Sequence, residues 1–317
     1  MDIGNVPTVS QESGTNKKVS RSVVRRIEEN FGYVLLLPAI ILMGGIAFFP
    51  IIRTFWLSLH HLNIKFVDHQ KFVGFDNYTK LMKDDRFWGS LKNTFIFTVS
   101  SVSLEFILGL GFALVMHKVL FGRSLIRTAI LIPWAIPPVI SGLMWRYMYN
   151  DQFGVVNAFL YKLGLIDEYI DWFDSGLKAM VASIFADVWQ TTPFMALLLL
   201  AGLQTIPHDI YEAADIDGAS SFQKFIRITL PLLKPSILVA LLFRTLDAFR
   251  VFDLIYILTG GGPADSTEVL SMYAYKTMSA YLDFGYGSTI SIIIFITIIL
   301  ISLFYVKVLG TNIRGEG

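Results

Sequence analysis

Glu212-Ala213-Ala214-Asp215-Ile216-Asp217-Gly218, followed after nine residues by Ile228-Thr229-Leu230-Pro231, is a polar interruption between two long apolar stretches. Its residue types spell out a corner. Thr205 and Pro207 open a short helix, because proline tolerates the first turn, where its missing N–H has no intrahelical partner. Asp209 and Glu212 favour that helix's positive N-terminal end. Gly218 can take the positive φ that ends it. Ser220-x-x-Gln223 is a capping box for a second helix, whose Phe222, Phe225, Ile226 and Thr229 fall at i, i+3, i+4 and i+7. Pro231 stands where the next helix is expected to turn towards the membrane. The loop 205–232 therefore reads as two short helices around a sharp bend.

Outward from this loop the chain is apolar. Of 317 residues, 54% are hydrophobic and 16% charged, with a mean hydropathy of +0.58. A water-facing surface needs about a quarter charged residues, so much of this surface faces lipid. A helix crossing roughly 30 Å of hydrocarbon needs about 20 apolar residues. Six stretches qualify, at 33–58, 91–116, 125–149, 179–204, 233–259 and 286–309. The expected fold is an all-α membrane protein of six transmembrane helices, with the third kinked at Pro133, Pro137 and Pro138. The run from Tyr33 to Ile52 is too long for a signal-peptide core of about 7–15 residues and reads as a retained first span. Ahead of it, residues 1–18 are polar, and 19–32 place Val23, Val24, Ile27 and Phe31 at the spacing of an interfacial amphipathic helix.

The same composition excludes several chemistries. There is no cysteine, hence no disulfide or thiolate site. The five histidines lack metal-ligand spacing, and a net charge of +1 argues against nucleic-acid binding. No G-x-x-x-x-G-K-[ST] phosphate loop occurs, so ATP hydrolysis is not expected of this chain. Gly260-Gly261-Gly262-Pro263 lacks the lysine and reads as a turn. Neither H-E-x-x-H nor G-x-S-x-G is present, so no catalytic residue is assigned.

Basic residues set the orientation. Loop 117–124 carries Lys118 and Arg123 without an acid, whereas loop 150–178 sets Asp151, Asp167, Glu168, Asp171 and Asp174 against Lys162 and Lys178. Both termini (1–32 and 310–317), loop 117–124 and loop 205–232 are thus expected in the cytoplasm. Loop 59–90 runs against the rule, with Lys65, Lys71, Lys80, Lys83 and Arg86 placed outside.

With the loop placed in the cytoplasm, its residues acquire a meaning. Glu-Ala-Ala, three residues, Gly, nine residues, Ile, one residue, Leu-Pro resembles the cytoplasmic loop of the membrane subunits of ABC importers. Glu212, Ala213, Ala214, Gly218, Ile228, Leu230 and Pro231 fill every position. Phe72-Val73-Gly74-Phe75-Asp76-Asn77-Tyr78, Phe87-Trp88 and Asn93-Thr94 look like the stretch before the second span in carbohydrate permeases. Leu258 to Pro263 resembles the outer end of the fifth span in the maltose, trehalose and glycerol-phosphate branch. The large outer insert of the maltose permease is missing. The resemblance implies the type I importer fold, with Glu212, Ala213, Ala214, Asp217 and Gly218 docking on an ATP-binding subunit. It also implies as partners a homologous second permease, ATPase subunits holding ATP and Mg, and an extracytoplasmic sugar-binding protein.

Charges inside the apolar stretches are the remaining signal. Arg244, Asp247, Arg250 and Asp253 recur every three residues in the fifth. An unpaired charge at mid-span costs roughly 2.5–3.5 kcal/mol, so each Asp is expected to pair with an Arg one turn away. The stripe is either a buried structural pairing or a wall of the substrate path. In the fourth span, Asp187, Gln190 and Thr191 share a face, with Trp189 beside them. They are a second candidate wall for a sugar, against a reading as helix packing. Trp134 and Trp145 read as packing or interfacial aromatics, and Glu105 as a locally bonded buried carboxyl without a role. The expected function is a permease subunit of an ATP-driven, binding-protein-dependent importer of a di- or oligosaccharide, in the cytoplasmic membrane. The alternative is a secondary transporter driven by an ion gradient through these carboxylates, for which the chain shows no internal repeat.

Overall fold

A computed structural model describes residues 35–64, 70–118 and 123–309. The expected interfacial helix at 19–32, the C-terminal tail at 310–317 and part of loop 117–124 lie outside them. The chain divides into two compact units, Met1–Thr54 and Phe55–Gly317. In the first, the described part is residues 35–54, most of the apolar span Leu35–Ser58, with apolar side chains exposed all round it. A helix of that composition needs lipid or another protein on every side. Gly44-Gly45 opens a π turn over Gly44–Phe48.

In the second unit, long helices run over Asp85–Lys118, Gly176–Gln204, Ser221–Phe249 and Phe284–Leu309. The fourth span is the axle. It packs against the second, third and fifth and supplies a large share of the buried core, Met195, Ala196, Leu199 and Leu203 among it. Apolar side chains gain little from leaving lipid for each other, so close backbone approach through small residues holds such helices together. A Cβ on Gly109 would come 2.7 Å from Met195 Cγ, and one on Gly202 would come 2.2 Å from Ser236 Oγ.

Two stretches depart from the sequence expectation. The third is broken rather than kinked: Leu125–Ala135 and Pro138–Met148 meet at 89°. Pro137 and Pro138 in succession remove two donors, and each proline forces the residue before it towards extended backbone, as in Pro137 with ψ 139°. The fifth is displaced. One helix runs from Ser221 to Phe249, so no turn occurs at Pro231; a π turn over Phe225–Thr229 lies immediately before it, where the widened ring relieves the proline's clash. The chain then leaves the helix at Arg250 and Phe252, and Asp253–Leu258 is a separate short helix rather than the end of a span at 259. The second span is 34 residues, about 51 Å at 1.5 Å per residue, so its first turns project beyond the hydrocarbon.

Those projecting turns end the loop that runs against the orientation rule, and they meet the segment that follows the fifth span. Arg86 grips Glu268 through Nε and Nη2 at 2.7 and 2.8 Å, Lys276 adds a 2.8 Å contact to the same carboxylate, and Lys80 lies over the Tyr286 ring. Asp84 accepts hydrogen bonds from Tyr273 and Tyr286, both at 2.5 Å. Burial alone would raise the Asp84 carboxyl, but these hydroxyls and the backbone N–H groups of Arg86 and Phe87 outweigh it and hold the group below the usual carboxylate range. Glu268 is likewise pushed up by burial and brought below its ordinary value by Arg86 and Lys276. Asn77, in the quoted stretch before the second span, donates to the Ser58 and His60 carbonyls at 2.9 and 3.0 Å. It caps the end of the preceding helix.

Candidate functional site

The bend in the third stretch opens a polar cavity beside the fourth and fifth helices. One lobe, of about 420 Å³, is lined by Trp134, Thr191, Phe194, Arg244, Asp247 and Arg250. A second, of about 380 Å³, adds Asp187, Gln190 and Asp253. Both volumes lie in the range of roughly 300–1,000 Å³ typical of small-molecule clefts.

The fourth helix supplies its wall by spacing. Asp187, Gln190 and Thr191 lie at i, i+3 and i+4 and share a face. Trp189, two residues from Asp187, is turned about 200° away and does not line the cavity. It stands edge-on to Trp145 at 5.5 Å, among apolar side chains. Gln190 has a structural duty: its Nε2 donates to the Ile136 carbonyl at 2.8 Å, which the proline break has released from helical bonding. Trp134, read from sequence as a packing aromatic, lines both lobes and stacks on Phe194 at 5.6 Å. Its place between Pro133 and the Pro137-Pro138 pair was the available signal.

The charged stripe pairs partly as its spacing predicts. Arg244 Nη1 donates to Asp247 Oδ2 at 2.7 Å, and Arg250 Nη2 lies 3.6 Å from Asp247 Oδ1. The dominant partner of Arg244 is elsewhere. Glu105 of the second helix receives Nε at 2.5 Å and Nη2 at 2.8 Å, a bidentate pair in which the carboxylate is fully buried. Asp187 adds a contact at 3.3 Å, and Thr191 Oγ1 lies 2.9 Å from Glu105 Oε1. Glu105 is therefore not locally bonded, as its isolation in the sequence suggests, but is the anchor of a network joining the second, fourth and fifth helices. Asp253 lies beyond the bend, on the cavity wall, and not one turn from Arg250 on a common helix.

At the other end of the fifth helix stands the corner that the sequence spells out. His208–Ile216 is helical, and Asp217 is its C-cap. Gly218 takes φ 75°; its N–H bonds Asp215 O and that of Ala219 bonds Ala214 O, the paired bonds of a Schellman ending. Ser220 and Gln223 close a capping box. Tyr211 Oη to Thr229 Oγ1 at 2.9 Å and Lys224 to Asp215 at 2.5 Å brace the two helices against each other. Glu212 and Ala213 are exposed, Ala214 is half-buried, and Ile216 and Phe222 are 87% and 73% exposed.

Comparison with known proteins agrees with this architecture. The chain is 47% identical to the trehalose/maltose transport system permease protein MalF of Thermococcus litoralis, over 89% of this chain and 94% of that one. It is 41% identical to the sulfoquinovosyl glycerol transport system permease protein SmoG of Agrobacterium fabrum, covering 88% and 90%. In fold it is similar to a chain of a bacterial ABC transporter that imports the acidic polysaccharide alginate, with a TM-score of 0.77, 24% identity, and 92% and 99% of the two chains covered. A family model for the binding-protein-dependent transport system inner membrane component matches residues 105–315, and this chain belongs to that family.

Proposed function

We propose that the chain forms half of the translocation path of an ATP-driven importer for a neutral di- or oligosaccharide of the trehalose or maltose kind. A homologous second permease supplies the other half, and an extracytoplasmic binding protein delivers the sugar. Separate ATPase subunits, which carry ATP and Mg, dock on Glu212, Ala213, Ala214, Asp217 and Gly218; this chain itself hydrolyses nothing. Loop 205–232 and both termini face the cytoplasm.

The observation that carries this reading is the unbroken helix Ser221–Phe249, which joins the exposed corner at one end to the cavity at the other. A push on the corner is delivered to Arg244 and Asp247 without an intervening loop. The cavity suits a sugar: Trp134 offers a ring face, and Asp247, Arg250 and Thr191 offer hydrogen-bonding groups. Asp247 and Asp253 face only Arg250 there once Arg244 is engaged by Glu105 and Asp187, which disfavours an anionic ligand. An ion-gradient mechanism has less to work with, because Glu105 and Asp187 are already engaged by Arg244.

Co-purification with the cognate ATPase, followed by sugar-stimulated ATP hydrolysis and uptake in liposomes, tests the reading. Proline fixes φ near −65° and cannot adopt the 75° of Gly218, so Gly218→Pro is expected to abolish coupling. Glu212→Ala is expected to weaken it. Uptake that persists without any ATPase, with both variants silent, refutes the proposal.

A further inference from the structure

Arg244 stands on the cavity wall yet has almost nothing left to give a ligand. Its side chain is 3% exposed. Nε and Nη2 hold both oxygens of Glu105, Nη2 also reaches Asp187, and Nη1 holds Asp247 Oδ2. Most of the five guanidinium donors are thereby committed. Asp247 is the opposite case. Its side chain is 64% exposed and lines both lobes, and its Oδ1 is 3.6 Å from Arg250, beyond hydrogen-bonding distance. Glu105 is fully buried and lines neither lobe.

We propose that Glu105 is a positioning residue for sugar recognition. It fixes the plane of the Arg244 guanidinium, which fixes Asp247 Oδ2 and leaves Oδ1 aimed into the cavity to accept a hydroxyl from the ligand. The same arrangement decides the ligand's charge class. Asp247 and Asp253 face the cavity against Arg250, and the charge of Arg244 is consumed by Glu105 behind the wall and by Asp187 on it. A neutral polyhydroxyl ligand gains a charge-assisted hydrogen bond, whereas an anionic sugar meets an excess of carboxylate. This role rests on the importer function proposed above.

The test uses the complete transporter in proteoliposomes, with labelled trehalose and maltose as probes and uptake KM and kcat measured separately. Asp247→Asn and Glu105→Gln are each expected to raise KM about tenfold, the value of one charge-assisted hydrogen bond, with a smaller change in kcat. If Glu105 acts through Asp247, the double variant is no worse than Asp247→Asn alone. Glu105→Asp, which keeps the charge, is expected to recover part of the loss, and it serves as the probe if Glu105→Gln does not assemble. Additive losses in the double variant, or an unchanged KM in Glu105→Asp and Glu105→Gln, overturn the positioning role while leaving the importer intact. A wild-type complex that moves neither sugar overturns the importer reading itself, and this role with it.

Discussion

Replacing Arg244 by Met removes the cation that, among the described residues, pairs with a fully buried Glu105 and a nearly buried Asp187. Breaking a buried ion pair from one side costs about 3–5 kcal/mol, because the surviving charge keeps its desolvation penalty and loses its partner. That is a large share of a net stability of roughly 5–15 kcal/mol. Exchanging the whole pair for apolar side chains of similar volume is often neutral. Glu105→Leu added to Arg244→Met therefore recovers most of the loss, since Asp187, at the cavity wall, is left within reach of water. The assay is the thermal midpoint of the detergent-solubilised complex for wild type, both single variants and the double, read as a double-mutant cycle. The double variant is expected to approach wild-type stability while transporting poorly, because Asp247 has lost its anchor. If Arg244→Met is as stable as wild type, or Glu105→Leu lowers the stability of Arg244→Met further, the network does not carry the energy assigned to it.

Gly109→Ala is expected to cost about 1–3 kcal/mol through overpacking against Met195 and the Ala196 backbone, whereas Gly111→Ala, two residues on and facing open space, is expected to be harmless; thermal midpoints of the two variants compare them directly. The outer cluster is expected to be acid-sensitive. Asp84 lies below its ordinary 3.8 and Glu268 below its ordinary 4.5, so their contribution is complete above those values and is lost as the pH falls through the lower native ones. A thermal-midpoint series from neutral pH to about pH 3 should show this decline, shallower in Asp84→Asn; an identical slope in the variant would count against it.

The spans were legible because lipid demands about 20 apolar residues in a row, and no fold can evade that requirement. The corner at 205–232 was legible because helix caps are local: Ser220, Gln223 and Gly218 act within a few residues of themselves. What escaped depends on partners distant in sequence. Whether Pro137-Pro138 kinks or breaks a helix turns on whether the freed Ile136 carbonyl finds a donor, and that donor is Gln190, 54 residues away. The charge period predicted Arg244–Asp247, a one-turn pair, but could not reveal Glu105, 139 residues distant, as the stronger partner. Hydropathy runs on through Leu254 to Leu258, so the exit from the helix after Phe249 left no mark in the composition.

These corrections change how the proposed coupling would work. With a turn at Pro231, force from the corner would be spent bending a hinge before it reached the membrane. The helix instead passes Pro231 unbroken, and Tyr211–Thr229 and Lys224–Asp215 brace its base against His208–Ile216. Under the proposed coupling the corner and the fifth span would therefore move together as one lever. Its first break lies at Arg250–Phe252, just past Asp247, so a rotation of the lever reorients Asp247 relative to Asp253 across the cavity. Glu105 and Asp187 tie the lever to the second and fourth helices at Arg244, less than two turns before Arg250. Under the proposed coupling, motion that begins at the corner would strain this tie before it changed the cavity, which would put the resistance to transport at Arg244 and the proposed sugar contact at Asp247 within one turn of a single helix.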